Sequence, residues 1–447
     1  MIDSEKLKNL LTRLNSIKED GTLDGEEADR SENLHRLFMY PAMMVPATQS
    51  AMIEALTHIL PSGSMAIDPF MGSGTSLLSC MEFGFNVYGQ DINPFAVLLS
   101  KAKVTSYDLE GFRKSLKSIE EHIDNDMTAD IDVSFYNLDK WFKKEVQVSL
   151  SKIRRAIQAE ECPDYRNFFW VVMSEIIRIG CNDRTSTFKL HIRDTEDIAN
   201  RNIDIVKEFL SYSERGIEDL SNYRDKLQEE HLLDGYRFSG VYEVLWGNTQ
   251  KEIKSDEKFD LLVSSPPYGD NHTTVTYGQT SYLPLQWIDS KDITCPYDYL
   301  KTTQEIDRQS LGGRINSKSL QKDMERLFEK SSSLSNFYDA IPEKDRSKYK
   351  KSISFIADFD ESIDVITKSM KPDAFYIWTI GNRFVDGREV PNDKILRDLM
   401  ESRGISLFFD AERRILNKKQ ARRNRSSQTM EKEHILIFHK NEVTYGR

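Results

Sequence analysis

The pattern of apolar and polar positions predicts short buried strands and amphipathic helices that alternate in two separate parts of the chain. In the first part, an amphipathic helix over 50–60 precedes a strand at 65–67, a helix over 76–82 and a strand at 86–90. This order is typical of the start of a doubly wound α/β sheet: a strand, a Gly-rich turn, a helix and a second strand that ends in an acid.

The alternation resumes in the second part of the chain. The predicted elements there are strands at 242–246, 259–264, 374–380, 405–409 and 434–439, with helices over 355–370 and 393–402. Between the two parts, residues 105–240 are charged and show long helical patterns, which predicts a helical insertion. Residues 289–352 are rich in Lys, Ser and Asp, which predicts a second, irregular insertion.

Composition places this chain of 447 residues among globular proteins, with 39% hydrophobic and 30% charged residues. No apolar run is long enough to span a membrane, and the first residues lack the apolar core of a signal peptide, so we expect no membrane partner and a cytoplasmic location. The four scattered cysteines form no CxxC pair, so neither a disulfide framework nor a metal site is expected. The net charge of −11 argues mildly against nucleic acid, but phosphate contacts depend on local basic patches.

A Gly-rich turn, DPFMGSGT at 68–75, follows the first strand. Gly72 and Gly74 lack a Cβ, so the backbone can turn sharply there and approach a ligand closely. The next helix offers N–H groups that suit a carboxylate, and Asp68 supplies a negative charge for an ammonium group. Asp91 ends the second strand and can accept hydrogen bonds from two ribose hydroxyls. An amino acid joined to a nucleoside fits these groups, which describes S-adenosyl-L-methionine (AdoMet).

A Gly-rich turn alone would also be compatible with a ligand-free turn, or with an NAD or phosphate site. No Walker lysine follows the second glycine, however, and the spacing is not GxGxxG. The eight residues taken together with the acid at the strand end are therefore more specific for AdoMet.

Three motifs, DPFMGSGT (68–75), YGQDINPFAV (88–97) and SSPPYG (264–269), resemble the DNA amino-methyltransferases of restriction–modification systems, which modify N4 of cytosine or N6 of adenine. The segment HRLFMYPAMMVP (35–46) resembles the one that lines the methionine end of AdoMet in that family; Tyr40 and Pro46 match, whereas Met43 stands where the family often has lysine. Gly247-Asn248 resembles a Gly-Asp pair near the adenine ring, with Asn248 departing from it.

The resemblance covers about half of the chain and implies a Rossmann-like, AdoMet-dependent methyltransferase sheet with a large helical insertion. It implies a common role in AdoMet binding for Tyr40, Pro46, Asp68, Pro69, Phe70, Gly72, Gly74, Thr75, Asp91, Ile92 and Asn248. The expected parts are an N-terminal helix and linker (1–34), a cofactor-binding half (35–104), the helical insertion (105–240), a catalytic-loop half (241–288), the second insertion (289–352) and a C-terminal part of the sheet (353–447).

The tetrapeptide Ser265-Pro266-Pro267-Tyr268 follows a predicted buried strand. The lone pair of an aromatic amine is delocalised into the ring, so methylation requires acceptors that localise it. The Ser265 hydroxyl and the Pro266 carbonyl are candidates, and consecutive prolines hold them in place. Tyr268 offers a ring face to a base that has been flipped out of the duplex. A Pro-Pro turn after a buried strand is the structural alternative. The polar segment 269–279 either helps to hold the base or is a surface loop.

Serine at the first position of the tetrapeptide resembles the N4-cytosine enzymes, while aspartate or asparagine is commoner in the N6-adenine enzymes. We therefore expect site-specific methylation of cytosine N4 in DNA, with adenine N6 left open. A tRNA guanine-amine methyltransferase and an inactive AdoMet-binding recognition subunit are further alternatives. The enzyme would be nucleoid-associated when it acts.

A basic run without acids extends from Arg413 to Arg425. We expect it to contact DNA phosphates, although a solvated loop is the usual reading of such a run. The predicted DNA-binding residues are Lys418, Lys419, Arg422, Arg423 and Arg425. Sequence recognition is assigned to the helical insertion, with the second insertion as runner-up; a packing or dimer element is an equal alternative for the helical insertion. The expected partners are double-stranded DNA and a cognate restriction endonuclease acting on the same site.

Overall fold

The computed structural model describes residues 4–25, 34–185, 188–271, 274–415 and 430–440. The strands in these ranges are β1 (Met65–Asp68), β2 (Asn86–Asp91), β3 (Leu233–Asp234), β4 (Arg237–Phe238), β5 (Tyr242–Trp246), β6 (Phe259–Ser264), β7 (Met370–Ile380), β8 (Arg383–Val385), β9 (Arg388–Val390), β10 (Ser406–Arg414) and β11 (Lys432–His439). Two short hairpins, β3–β4 and β8–β9, stand apart from one larger sheet.

Seven strands form the central sheet in the order β10-β11-β7-β6-β1-β2-β5. Strands β7, β6, β1, β2 and β5 pair in parallel, and β11 runs antiparallel to both β7 and β10. The parallel strands β1 and β6 are almost fully buried, because helices cover both faces of the sheet. The predicted Rossmann-like α/β fold is confirmed.

The helices are α1 (Ser4–Glu19), α2 (Pro46–Leu56), α3 (Thr75–Met81), α4 (Pro94–Val104), α5 (Leu109–Asn125), α6 (Leu138–Trp141), α7 (Lys144–Ala159), α8 (Pro163–Gly180), α9 (Thr195–Asn200), α10 (Ile205–Glu229), α11 (Tyr277–Trp287), α12 (Glu305–Gln309), α13 (Leu320–Lys330), α14 (Ser332–Asp339), α15 (Lys350–Ser369) and α16 (Asn392–Glu401). In the described ranges, no helix combines the length and the apolar character that crossing a bilayer requires.

The helical insertion is confirmed and comprises α5 to α10. Its central helix, α8, packs against α4, α7 and α10, and nearly all of its side chains from Asn167 onwards are buried. Phe112 of α5 contacts the rings of Phe168 and Phe169 edge to face, at centroid distances of 4.7 and 5.4 Å. The insertion therefore shares one continuous core with α4 and with one face of the sheet.

The second insertion was expected to be irregular, and this expectation was wrong. It contains α12, α13 and α14. Helix α13 places Leu320, Met324, Leu327 and Phe328 at helical spacing within a mostly charged sequence, and Leu327 is fully buried. The many Lys, Ser and Asp residues concealed this narrow apolar stripe in the sequence.

Two element boundaries differ from the prediction for identifiable reasons. Helix α2 begins at Pro46 rather than at residue 50, because the fixed φ of proline suits the first helical position. Strand β10 continues to Arg414, so Arg413 and Arg414 are strand residues and do not belong to a basic loop. Arg413 forms an ion pair with Glu433, and Arg414 forms one with Asp24.

Candidate active site

A cleft opens at the carboxyl ends of β1, β2, β5 and β6. Because these strands are parallel, the loops that follow them meet at one edge of the sheet. Ten residues that the sequence singled out line this cleft: Tyr40, Pro69, Phe70, Gly72, Thr75, Asp91, Ile92, Asn248, Ser265 and Pro267. The structure thus brings the Gly-rich turn, the acid at the end of β2 and the tetrapeptide together.

Asp91 is the carboxylate on the wall of the cleft. Its Oδ2 accepts a hydrogen bond from the Gly72 N–H at 2.9 Å, and its Oδ1 accepts one from the Asn93 N–H at 2.8 Å. Burial raises the pKa of Asp91 to about 6, so the carboxylate is ionised at neutral pH. The Ile92 N–H also interacts with the carboxylate, whose two oxygens still have acceptor capacity for a ligand hydroxyl.

An aromatic pair closes the other side of this region. Tyr40 is buried and stacks on Tyr277 with a centroid distance of 5.6 Å. The Tyr40 hydroxyl accepts a hydrogen bond from Asn93 Nδ2 at 3.1 Å, and the same amide nitrogen donates to Ser281 Oγ at 2.8 Å. Gly72 has a φ of 49°, and a Cβ there would approach the Tyr40 ring. Asn93 therefore ties the segment before α2 to the end of β2 and to α11.

Asp68 does not reach the wall of the cleft. Its fully buried carboxylate accepts hydrogen bonds from the Phe70 N–H at 3.0 Å, from Ser264 Oγ at 2.7 Å and from Ser76 Oγ. Burial raises its pKa to about 6. The predicted contact of Asp68 with an ammonium group would require this network to open. In the structure, Asp68 instead links the Gly-rich turn to the end of β6, directly before Ser265.

Four further predicted residues also lie off the wall. Tyr268 is half-buried and is not among the residues that line the cleft. Pro46 is buried at the start of α2, and Pro266 is buried within the tetrapeptide. Gly74 has a φ of 75°, and a Cβ there would lie 2.8 Å from Ser100 Oγ. Gly74 therefore permits the close packing of the turn against α4.

The helix that follows the Gly-rich turn is anchored by a buried histidine. His35 Nε2 lies 2.9 Å from Thr75 Oγ1, and Thr75 Oγ1 lies 3.2 Å from Ser73 Oγ. Burial lowers the pKa of His35 to about 3, so the imidazole is neutral. This neutral pair holds the predicted carboxylate-binding end of α3 without placing another charge beside it.

The tetrapeptide is part of a chain of hydrogen bonds. Ser265 Oγ lies on the cleft, 3.0 Å from the Tyr268 hydroxyl oxygen, and Tyr268 donates to Glu433 Oε1 at 3.0 Å. The other oxygen of Glu433 is held by Arg413 Nε at 2.7 Å. Burial raises the pKa of Tyr268 well above its usual value, and the nearby Glu433 charge adds to this effect. The phenol therefore stays protonated.

Two residues, Asn392 and Asp270, fix the backbone of the loop that carries the tetrapeptide. Asn392 Nδ2 donates to the carbonyl oxygens of Tyr268 and Gly381 at 3.1 and 2.9 Å, which joins the loop to the end of β7. The next acid, Asp270, is fully buried and lies 3.1 Å from Arg383 and 3.4 Å from Lys351. These contacts predefine the position of Ser265.

Asn271 belongs to the segment 269–279, for which the sequence left open a role in holding the base or a surface loop; other residues on the wall escaped the sequence analysis. Asn271 is 3% exposed and lines the cleft, and its Oδ1 has no hydrogen-bond partner among the described residues. The second insertion supplies Ile306, Gln309, Ser310 and Leu311. Asn93 could have been recognised from Asn-Pro at the start of α4, where its side chain accepts from the Phe95 N–H. No local signal marks residues 306–311, which lie far from β6 in sequence.

The five predicted DNA-binding residues, Lys418, Lys419, Arg422, Arg423 and Arg425, lie outside the described residues. Their role stays a prediction. The strands that precede and follow them, β10 and β11, are adjacent in the central sheet.

No family model matches the chain. The type II methyltransferase M.MvaI of Kocuria varians is 32% identical over 437 residues, which cover 94% of this chain and 93% of that protein. The type II methyltransferase M.MjaII of Methanocaldococcus jannaschii is 32% identical over 136 residues, or 28% of this chain and 25% of that protein. Among solved structures, the rRNA methyltransferase aviRa of Streptomyces viridochromogenes covers 93% of this chain and 94% of its own, with a TM-score of 0.32 and 7% identity.

The similarity to M.MvaI extends over nearly the whole of both chains, so the family assignment rests on this relative. This chain belongs to the type II methyltransferases, the AdoMet-dependent DNA methyltransferases of restriction–modification systems.

Proposed function

We propose that the protein methylates the N4 amine of cytosine at a specific site in duplex DNA. The observation that carries this proposal is that Ser265, the first residue of the tetrapeptide, lies on the same cleft as Asp91 and the Gly-rich turn. In this proposal, Ser265 is the acceptor for the amine, and Asp91 and the Gly-rich turn hold the methyl donor, so both substrates would meet in one cavity. Adenine N6 presents the same amine chemistry and is the alternative substrate.

The residues of the cleft fit AdoMet. Asp91 is ionised at neutral pH and would accept hydrogen bonds from the two ribose hydroxyls. Phe70 and Ile92 provide apolar surface for the nucleoside. Asn248 Oδ1 accepts from the Gln250 N–H at 2.9 Å, so its amide N–H₂ is the group suited to a ring nitrogen of adenine. Thr75 and the start of α3 would meet the carboxylate.

AdoMet supplies a methyl group on a positively charged sulfur. The amine nitrogen of a bound base would form a bond to this methyl carbon as the carbon–sulfur bond breaks, and the amine would lose one proton to solvent. Ser265 Oγ and the Pro266 carbonyl oxygen would accept the two amine hydrogens, which localises the lone pair on nitrogen. Their positions are fixed before the base arrives, because Asn392 and Asp270 hold the loop.

Asn271 is proposed to contact the flipped base. In the sheet order, β6 lies on one side of β1, and β2 and β5 lie on the other. Asn271 follows β6, whereas Asp91 and Asn248 follow β2 and β5, so we assign Asn271 to the base and the other two to AdoMet. Its buried Oδ1 lacks a partner among the described residues, and an unsatisfied buried acceptor costs about 1–3 kcal/mol. An N–H of the base would remove this cost.

Sequencing that detects modified bases in genomic DNA tests the proposal. DNA from cells that express the protein would be compared with DNA from cells that express Ser265→Ala. N4-methylcytosine in one sequence context is the expected result, whereas N6-methyladenine in one context would reassign the base. A purified protein that transfers labelled methyl groups to tRNA but not to duplex DNA would overturn the proposal.

We also propose that a cognate endonuclease cuts the same sequence. Genomic DNA from expressing cells should resist that nuclease, while DNA from cells expressing Ser265→Ala should be cut. If every nuclease specific for the methylated sequence cuts the DNA from both kinds of cells to the same extent, methylation gives no protection, and the proposal of a cognate endonuclease is wrong.

A further inference from the structure

The inference concerns the chain of hydrogen bonds behind Ser265 and rests on the proposed function. Glu433, on β11, lies directly opposite Arg413, on β10, and this cross-strand pair is largely buried, with side-chain exposures of 13% and 9%. Arg413 contacts one carboxylate oxygen of Glu433, and Tyr268 contacts the other. The Arg413 guanidinium therefore stabilises Glu433 as an anion that can only accept hydrogen bonds.

The direction of every hydrogen bond in the chain follows from this anion. Tyr268 has a single proton and donates it to Glu433 at 3.0 Å. The Tyr268 oxygen is then an acceptor for Ser265, which lies 3.0 Å away and donates its own proton to it. Ser265 Oγ has no proton left for the cleft and presents lone pairs there.

We infer that Glu433, acting through Tyr268, is a positioning residue that makes Ser265 an obligate hydrogen-bond acceptor towards the target amine. A serine hydroxyl without this constraint could rotate and offer its proton to an acceptor on a base. With the constraint, it favours an N–H donor, which cytosine N4 and adenine N6 both provide. The chain of bonds thus selects the amine group and prepares its lone pair.

Tyr268→Phe is the primary test, because it keeps the ring and the Arg413–Glu433 pair and removes only the hydroxyl. We expect kcat to fall roughly 10- to 100-fold, less than the roughly 100- to 1000-fold cost of losing a preorganised donor that contacts the reacting group, because the Tyr268 hydroxyl acts through Ser265. KM for DNA and Kd for AdoMet should stay within about twofold of the parent values. Tyr376→Phe is the matched control, because Tyr376 is a buried tyrosine on β7 whose hydroxyl has no partner among the described residues. It should leave kcat unchanged.

A double-mutant cycle separates action through Ser265 from an independent role of Tyr268. If Tyr268 acts through Ser265, then Ser265→Ala combined with Tyr268→Phe is no slower than Ser265→Ala alone. Fully additive losses, or a kcat for Tyr268→Phe within twofold of the parent, would overturn the inference. These results can be obtained only if the parent enzyme methylates DNA. If the proposed function is wrong, the parent itself is inactive on DNA, so the two failures can be told apart.

Glu433→Gln provides a second measurement. A neutral amide can donate to the Tyr268 oxygen, which releases the Tyr268 proton towards Ser265 and the Ser265 proton towards the cleft. A similar fall in kcat at unchanged AdoMet affinity is expected. Glu433→Asp should recover part of the lost rate, because it restores an anion that accepts from Tyr268. Equal rates for the Gln and Asp variants would contradict the role of the charge.

Discussion

Ser264 Oγ lies 2.7 Å from Asp68 Oδ1, and this hydrogen bond joins the end of β6 to the end of β1. The two strands lead into the two loops of the proposed chemistry, since the tetrapeptide follows β6 and the Gly-rich turn follows β1. Because Asp68 also accepts from Ser76 of α3 and from the Phe70 N–H, one buried carboxylate sets the relative positions of both loops.

Asp68→Asn is predicted to lower both the thermal stability of the AdoMet-free protein and the affinity for AdoMet. The amide nitrogen cannot accept from the serine hydroxyls, and leaving buried groups unpaired costs about 1–3 kcal/mol. Differential scanning fluorimetry without AdoMet and equilibrium dialysis with labelled AdoMet measure the two effects. A loss of AdoMet affinity with an unchanged melting temperature would instead support a direct contact between Asp68 and the ammonium group. Asp256→Asn, at an exposed acid, is the control.

AdoMet affinity is predicted to decrease as the pH falls through about 6. Asp91 has a raised pKa of about 6, and its ionised form is the better acceptor for ribose hydroxyls, so lowering the pH from about 7 to about 5 should weaken binding about tenfold. Titrations at several pH values check this, and Asp91→Asn should bind weakly with a flat pH profile. A parent protein with constant affinity over this range would exclude the role of Asp91.

Unfolding does not account for that pH effect. Asp68 and Asp91 both have folded-state pKa values of about 6, above the ordinary value of 3.8. Between these values the folded protein binds more protons than the unfolded chain, so the contribution of these two groups to the free energy of unfolding rises as the pH falls. Melting temperatures recorded alongside the binding data separate the two trends.

Gly381→Ala is predicted to reduce turnover without weakening AdoMet binding. A Cβ at this position would lie 2.8 Å from Tyr268 Cδ2 and closer still to Met430 Sδ, and the methionine can move more readily than the ring held by two hydrogen bonds. Displacement of Tyr268 would lengthen its bonds to Ser265 and Glu433. Steady-state kinetics with AdoMet and DNA varied separately measure the effect, and an unaltered kcat would show that the ring position tolerates this shift.

Neutralising Lys418, Lys419, Arg422 and Arg423 together is predicted to weaken DNA binding and to flatten its dependence on salt. Each lost phosphate contact removes about one unit from the slope of log Kd against log salt concentration. Fluorescence anisotropy with a duplex that carries the methylated sequence provides the measurement. The charge-matched control neutralises Lys6, Lys8, Arg113 and Lys114, which are exposed on α1 and α5. An unchanged slope in the first variant would remove this segment from the DNA surface.

Asn271→Ala is predicted to weaken the binding of DNA with an intact target base more than the binding of DNA with an abasic target position. The difference arises because the buried Oδ1 of Asn271 would meet the base itself. Gln147→Ala is the matched control, since Gln147 is also a buried amide whose oxygen has no partner in the described residues, but it lies in α7. Equal losses on both DNAs would assign Asn271 a structural role.

The sequence predicted the strands that form the centre of the sheet, because each is a short apolar run that ends at a motif. It also predicted Asp91 correctly as a strand-end acid on the cleft, since β2 aims its last residue at the open edge. The sequence could not predict which way the Asp68 side chain points, because its direction depends on hydrogen bonds from hydroxyl groups on α3 and β6. Glu433 escaped notice for the same reason: its partner Tyr268 is 165 residues away in sequence, and no local pattern connects them.

The position of β1 in the middle of the sheet has a consequence for synthesis on the ribosome. The backbone N–H of Met65 in β1 donates to Asp260 of β6, which is translated 195 residues later. At about 5–20 residues per second, roughly 10–40 s pass before the neighbouring strand leaves the exit tunnel. During this time, a hydrophobic strand has one open edge while the helices of the intervening segment are already able to fold. Their early packing against α4 would shield the nascent half-domain from aggregation until its second half arrives.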